Sequence, residues 1–320
     1  MTVWYSMTSV PAALAGCVVT IGVFDGLHRG HQALISQAVK RSRELGVPCV
    51  MCTFDPHPIS VFLPQSAPTQ LTTVEQRVRL AEELGVDHVL VIDFTSELAG
   101  LAPRLYFRSL IVDVLRARAV FVGENFTFGK DAQGTTTTLS ELGREFGVEV
   151  HVVDLFCDDG QRMCSSLVRE YLAAGDVKGA SWVLGRPFSV TAKIVHGAGR
   201  GGAQLGYPTA NQYFPQSMAL PADAVYCGWL TVVDADDIAG DMEPHVRYPA
   251  AISVGTNPTF GEDPRSVESY VLDQESDLYG HTARVEFIDH IRQMRKFNGV
   301  DELLEAIAGD VAAAREILQP

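Results

Sequence analysis

Apolar positions over residues 17–155 follow two alternating periods. Short continuous apolar runs at 18–24, 49–54, 88–94, 119–122 and 148–155 read as buried strands. Between them, runs near 32–45, 73–84, 102–115 and 139–146 place apolar residues at helical spacing, as at Leu34, Ile35, Ala38 and Val39. Such strand–helix alternation predicts a Rossmann-like, doubly wound parallel sheet with helices on both faces. Two more helical runs, 166–174 and 178–184, end this pattern. From 187 to 288 the segments are short, rich in β-branched and aromatic residues, and broken by Gly, Pro and Asn. Those at 188–195, 224–233, 248–254, 267–272 and 283–287 predict an antiparallel sheet or small barrel. An Ala-rich helix over 300–318 closes the chain. The change of pattern falls at Gly185-Arg186-Pro187, so the expected domains are 1–186 and 187–320. No fixed-period repeat is present, and the one low-complexity tract is the run Thr135–Thr138.

Composition narrows this picture little. At 320 residues, 47% hydrophobic and 20% charged, the chain has the makeup of a globular protein with room for two cores. A net charge of −14 argues against a general nucleic-acid or anionic-membrane surface. No apolar stretch approaches the ~20 residues that span a bilayer, and the first fifteen residues lack the basic start of a secretory signal. A cytoplasmic location is therefore expected. The six cysteines are scattered. Cys49 and Cys52 spell C-x-x-C, but residues i and i+3 of a strand face opposite ways, so their sulfurs do not converge. They are expected to be core residues and not a metal or redox pair.

Candidate chemistry clusters where predicted strands end. The run Thr20-Ile21-Gly22-Val23-Phe24-Asp25-Gly26-Leu27-His28-Arg29-Gly30-His31 passes from strand through a glycine turn to a helix start. Backbone N–H groups and the helix dipole at such a place form a ready phosphate site, and His28 and His31 stand where the phosphate would lie. Asp55, in Thr53-Phe54-Asp55-Pro56-His57-Pro58, follows the second strand. Asn125, Phe126 and Phe128, in the run from Gly123 to Gly129, follow a later one. All three segments sit at the carboxyl ends of strands, where open parallel sheets bind ligands. Ser165 and Ser166 open a helix that carries Arg169 one turn on. Serines there serve as caps, and capping is compatible with phosphate contact.

The second half has its own set. His196-Gly197-Ala198-Gly199-Arg200-Gly201-Gly202 contains G-x-G-x-x-G, but Gly206 and Pro208 stand where a dinucleotide fingerprint needs a helix. A glycine-rich flap over a ligand fits better. The hydroxyl of Thr209 and the amide oxygen of Asn211 could both reach one hard cation such as substrate-bound Mg²⁺. Glu268 alternates with Val267 and Ser269 and so faces away from both.

Taken in order, G-x-F-D-G-x-H-x-G-H, T-F-D-P-H-P, G-x-N-F-x-F-G and S-S-x-x-V-R resemble the adenylyltransferase module of the prokaryotic, actinobacterial-like bifunctional riboflavin kinase/FAD synthetase family. The glycine-rich loop, P-T-A-N, P-A-D-x-V-Y, G-T-N-P-T-F-G, V-E-S-Y and D-L-Y-G resemble its riboflavin kinase module. The likeness runs from about residue 17 to the last helix. It implies a nucleotidyltransferase-type sheet followed by a six-stranded antiparallel Greek-key β-barrel with a C-terminal helix. It also implies two reactions. Riboflavin and ATP give FMN and ADP in the barrel; FMN and ATP give FAD and pyrophosphate in the first domain. By the same resemblance Thr209 and Asn211 hold Mg²⁺-nucleotide, and Glu268 is general base on the ribityl 5′-hydroxyl. Gly197, Gly199, Arg200 and Gly201 cover the kinase ligands. The FMN phosphate is already an anion, so His28 and His31 are expected to stabilise charge on the transferring group. Gly22, Phe24, Asp25, Gly30, Asp55, Asn125, Ser165, Ser166 and Arg169 are expected around ATP and FMN. Phe62, Tyr106 and Phe128 are the aromatic candidates for the isoalloxazine ring.

This chain departs from the family pattern at Cys164, where a Ser is common, at Ala224, where Gly is usual, and at Asn125, often Asp. Small-molecule substrates are the expected partners, with no nucleic acid and no membrane; a homo-oligomer is left open. Two other readings compete. An adenylyltransferase for nicotinamide mononucleotide or phosphopantetheine would share the histidines but lack the barrel motifs. A non-catalytic flavin-binding protein would be free to lose His28, His31 or Glu268, and all three are present.

Overall fold

The computed structural model describes residues 1–196, 206–234, 237–255 and 265–319. It divides into two compact units, Met1–Ser165 and Ser166–Pro320.

The first unit is built on six parallel strands: β1 (Thr2–Trp4), β2 (Cys17–Ile21), β3 (Cys49–Asp55), β4 (His88–Asp93), β5 (Ala117–Gly123) and β6 (Glu149–Val153). Their spatial order is β1-β4-β3-β2-β5-β6. From β2 the chain winds outward to β3 and β4, then returns to the other side of β2 with β5 and β6. The winding therefore reverses between β2 and β5, the crevice where such sheets bind ligands. Every residue of β2 is buried, as is β3 as far as Phe54, because both faces of the sheet are covered. The main helices are α1 (Arg29–Leu45), α2 (Val74–Glu83), α3 (Pro103–Tyr106, running on as a π-helix over Phe107–Val114) and α4 (Thr136–Phe146), with short turns of helix at Pro58–Phe62 and Ser96–Ala99.

Side chains alternate strictly between two cores. Val19, Ile21, Val50, Cys52, Leu90 and Ile92 pack under Phe107, Leu110 and Leu142. Val18, Cys49, Met51, Val89 and Phe121 pack under Leu34, Ile35 and Leu80. Cys49 and Cys52 thus belong to opposite cores, as their spacing on a strand requires. The predicted helix over 73–84 begins one residue later, behind a capping box. Thr73 Oγ1 accepts from Gln76 N at 3.2 Å and Gln76 Oε1 accepts from Thr73 N at 2.9 Å.

The second unit takes in all but the first residue of α5 (Ser165–Ala173), then α6 (Val177–Leu184). Six antiparallel strands follow: β7 (Phe188–Lys193), β8 (Ala210–Tyr213), β9 (Ala224–Val232), β10 (Tyr248–Gly255), β11 (Ser266–Val271) and β12 (Thr282–Gln293). Their order is β8-β11-β10-β9-β12-β7. Three strands meander from β9 to β11 and the fourth, β12, returns beside β9, which is a Greek key. The seam nearly closes: Val195 N, just past β7, donates to Asn211 O at 2.9 Å. Across it the buried Gln212 Nε2 donates to Ala192 O at 2.6 Å and Ala283 O at 2.8 Å. The last helix, α7 (Val300–Leu318), lays Ala314 and Leu318 on Cys227, Ala251 and Leu272. Asp310 accepts two bonds from Arg292, both at 2.7 Å, and fixes its rotation.

Candidate functional site

The first site opens where the winding reverses. A cleft of about 840 Å³ runs along the carboxyl ends of β2, β3 and β5, and Gly22, His28, His31, Phe54, Asn125 and Phe128 are among its walls. The loop from β2 into α1 is tightly wound, with Phe24, Gly26 and Leu27 all at positive φ (53°, 80° and 37°). For two side-chain-bearing residues this conformation is costly and needs support. Asp25 supplies part of it. Its buried carboxylate accepts from Leu71 N (2.9 Å), Thr72 N (3.0 Å) and Thr72 Oγ1 (3.1 Å). Ser165 Oγ donates to Asp25 O at 2.9 Å. These two predicted ligand residues therefore brace the loop, and neither is in the cleft wall.

His28 caps α1, its Nδ1 accepting from His31 N at 3.3 Å. With Nδ1 used as acceptor, the neutral ring carries its proton on Nε2. The rings of His28 and His31 stack at 3.6 Å, and Phe24 meets His31 edge-on at 5.1 Å. Burial, reinforced by the neighbouring His28, holds His31 well below the usual imidazole range. Two stacked imidazoles, that of His31 held neutral, stand beside the N-terminus of a 17-residue helix and make a donor-rich anion site.

Aromatic rings line the far end of the cleft. Phe62 is 57% exposed at its rim and meets Phe94 edge-on, while Tyr106 and Phe128 are buried against each other at 5.6 Å. All three aromatic candidates line the cleft. The Tyr106 hydroxyl is buried without a partner. Burial raises its pKa far above that of a free phenol. Asn125 lines the cleft near Gly123, whereas Asp55 is exposed outside its wall. On α5, Ser166 is exposed and Arg169 half-buried.

Four cationic side chains escaped the sequence reading. Arg162 and Lys130 bring cationic side chains to the cleft wall. Arg29, inside the histidine motif, pairs with Asp158 at 2.6 Å and lies over the Phe156 ring, pinning the ribbon of Cys157–Asp158 and Gln161–Arg162. Arg77 is buried under the loop. A charge at the end of a predicted motif gives no hint of these partners; only the fold does.

The second site lies on β8 and β11. Asn211 and Glu268 are directly opposite each other in the antiparallel register, and Ser253 of β10 is opposite Glu268 on the other side. Asn211 Nδ2 donates to Thr209 O at 2.8 Å and approaches Thr209 Oγ1 at 3.3 Å. Glu268 Oε1 accepts from Ser266 Oγ at 3.2 Å. Burial pushes the Glu268 carboxyl above its usual range, and the Ser266 bond only partly offsets this. Its neighbours Val267 and Ser269 are fully buried on the opposite face, as strand alternation requires. Ala224 is an ordinary residue of β9 without positive φ, so replacing a glycine there imposes no strain. Gly197, Gly199, Arg200 and Gly201 lie outside the described residues.

The two sites sit in a chain whose parts match two family models, FAD synthetase over residues 10–167 and riboflavin kinase over 184–318. The bifunctional riboflavin kinase/FMN adenylyltransferase of Pseudomonas fluorescens is 36% identical over 95% of this chain and 94% of its own length. That of Escherichia coli K12 is 34% identical over 94% and 92%. A crystal structure described as a macrolide-efflux protein from Streptococcus pneumoniae superposes with a TM-score of 0.81. It is 29% identical and covers 98% of both chains. Among the described residues of the present chain no helix is long and apolar enough to cross a membrane. The two matched models define a flavin-directed nucleotidyltransferase joined to a kinase. The chain belongs to the bifunctional riboflavin kinase/FMN adenylyltransferase family.

Proposed function

We propose that the barrel phosphorylates riboflavin and that the parallel-sheet unit adenylylates the resulting FMN, with the residues above in stated roles. The observation that carries this reading is the pairing, in one chain, of a histidine-lined anion cleft with an Asn211–Glu268 cross-strand pair on the barrel.

In the barrel, Glu268 accepts the proton of the ribityl 5′-hydroxyl as that oxygen attacks the γ-phosphorus of ATP. A carboxyl raised by burial is a stronger base than an exposed one, which suits that task. Neutral, hard oxygens at Thr209 and Asn211 fit a Mg²⁺ ion that takes its remaining ligands from substrate phosphates and water. When bound, Mg²⁺ neutralises charge on the phosphates. The glycine-rich segment containing Gly197, Gly199, Arg200 and Gly201 covers the nucleotide.

In the first unit, the FMN phosphate attacks the α-phosphorus of ATP and pyrophosphate leaves. No base is needed, and His28 and His31 donate N–H bonds to oxygens that gain charge in the transition state. Gly22, Phe24 and Gly30 shape the phosphate loop, Asn125 assists from the cleft wall, and Ser165 steadies the loop through Asp25 O. Phe62, Tyr106 and Phe128 receive the isoalloxazine. Use of ATP in both steps is compatible with a cytoplasmic location.

The test separates the sites. With riboflavin, ATP and Mg²⁺ supplied, chromatography should resolve both FMN and FAD. His28→Ala should stop FAD formation and leave FMN formation intact; Glu268→Ala should stop FMN formation yet still convert supplied FMN to FAD. Loss of both activities in either folded variant would contradict the division.

A further inference from the structure

Arg77 projects from α2 and is only 3% exposed, beneath the phosphate loop. Its Nη1 donates to Val23 O at 3.1 Å, to Thr53 Oγ1 at 2.7 Å and to Phe54 O at 3.1 Å. Thr53 Oγ1 in turn donates to Val23 O at 2.8 Å. Val23 belongs to the loop that carries His28, and Phe54 to the end of β3 that leads to Phe62. Both residues line the cleft. One guanidinium therefore ties the exits of two neighbouring strands.

Its setting makes a packing role insufficient. Burial disfavours the charge, and Asp25, Asp55 and Glu75 offset that only in part. An apolar residue of similar volume would commonly serve as well or better if filling space were the whole task. The strap 71–77 that bears Arg77 also provides Leu71 N and Thr72 N to the Asp25 carboxylate, and Thr72 Oγ1 accepts from Gly26 N at 3.0 Å. The same short segment thus holds the positive-φ turn from both sides.

We propose that Arg77 is a positioning residue for adenylyl transfer, fixing the histidine loop against the end of β3 through the Val23 and Phe54 carbonyls. It acts through those carbonyls and touches neither substrate. The inference rests on the assignment of adenylyl transfer to this cleft.

The experiment uses the full chain, with riboflavin phosphorylation as an internal control. Arg77→Met keeps volume and removes the charge and its bonds. It should lower kcat for FMN adenylylation about ten- to a hundredfold, the scale expected of a misplacement near 1 Å. The kcat of riboflavin phosphorylation should stay within twofold, and Arg77→Lys should recover part of the loss. A folded Arg77→Met protein with adenylylation kcat and KM within twofold of wild type would overturn the proposal. So would a parallel fall of both activities. If Arg77→Met does not fold, Thr53→Val removes the shared hydroxyl at nearly constant volume and should lower adenylylation kcat severalfold; unchanged kinetics in that variant would also overturn it. His28→Ala, run alongside, distinguishes the two failures. FAD formation surviving in that variant would refute the site itself, not the brace alone.

Discussion

Asn211 and Glu268 are cross-strand partners, one on the edge strand β8 and the other on β11. Residues directly opposite in an antiparallel pair point to the same face with Cβ atoms about 5 Å apart. The barrel register therefore presents an amide, the Thr209 hydroxyl bonded to it, and a carboxylate as one group. A slip of one residue would turn Glu268 into the core and destroy the site.

Glu268 should be a liability for stability. Its folded pKa is raised, so the folded state holds the proton more tightly than the unfolded chain. Above the raised value the buried carboxylate is ionised and costs stability; as pH falls through that value the cost disappears. Glu268→Gln is expected to melt higher than wild type at pH 8, with the gap closing toward pH 4. Its riboflavin phosphorylation should fall by about a hundredfold or more, the scale for loss of a general base. Thermal melts across pH, paired with flavin chromatography, check this; a lower melting temperature at pH 8 would contradict it.

His31 should stay neutral in the free protein well below pH 6.5. Its folded pKa is depressed, so the unfolded chain takes up a proton that the folded chain refuses. Stability from this group is thus lost as pH falls below about 6.5, the unfolded value, and the loss levels off at the depressed one. NMR titration of the ring should show an uncharged His31 at pH 6, and added pyrophosphate should move its pKa upward. A midpoint at or above 6.5 without ligand would refute the buried, neutral assignment.

Thiol reagents should divide the six cysteines sharply. Cys17, Cys49, Cys52 and Cys227 are buried, and burial pushes Cys17 and Cys49 to about 12 and Cys227 to about 11. Cys157 is exposed and Cys164 is half-buried in the cleft wall. Mass spectrometry of the folded protein after brief maleimide treatment should find label on Cys157 and Cys164 alone, with ATP slowing reaction at Cys164. Labelling of Cys49 or Cys52 before unfolding would show that the C-x-x-C pair is not core.

Much of this was legible in the chain because burial leaves a pattern. The continuous apolar runs became β2 to β6, and the histidine motif fell at a strand end as predicted. What escaped carries little apolar signal. Strand β8, Ala210-Asn211-Gln212-Tyr213, is short and polar, yet it bears Asn211 and the seam-closing Gln212. Strand β1 is three residues long at an edge, paired only to β4. Arg77 carries no motif, and the carbonyls that bury it lie 23 and 54 residues away. The motif resemblance sets Asp25 beside ATP and FMN; the partners of its carboxylate, Leu71 and Thr72, lie in a segment with no motif.

Gly30 offers the sharpest local test of the histidine geometry. It occupies the second position of α1, where alanine would normally favour the helix by about 1 kcal/mol. A Cβ there, however, would lie 2.9 Å from Met163 O and 3.1 Å from the His28 ring. The carbonyl is backbone and yields little, so the start of α1 and the His28 ring must both shift. Gly30→Ala should therefore lower the melting temperature despite its helix propensity, while FAD formation in the folded protein falls at least tenfold and riboflavin phosphorylation is unchanged. Gly46→Ala is the converse control. Its Cβ meets nothing within 4 Å, but φ is +63° at the end of α1. That substitution should cost about 1 kcal/mol of stability and alter neither activity. Normal FAD formation in Gly30→Ala would mean that the seat of His28 tolerates displacement, and that the ring is not held for transition-state contact.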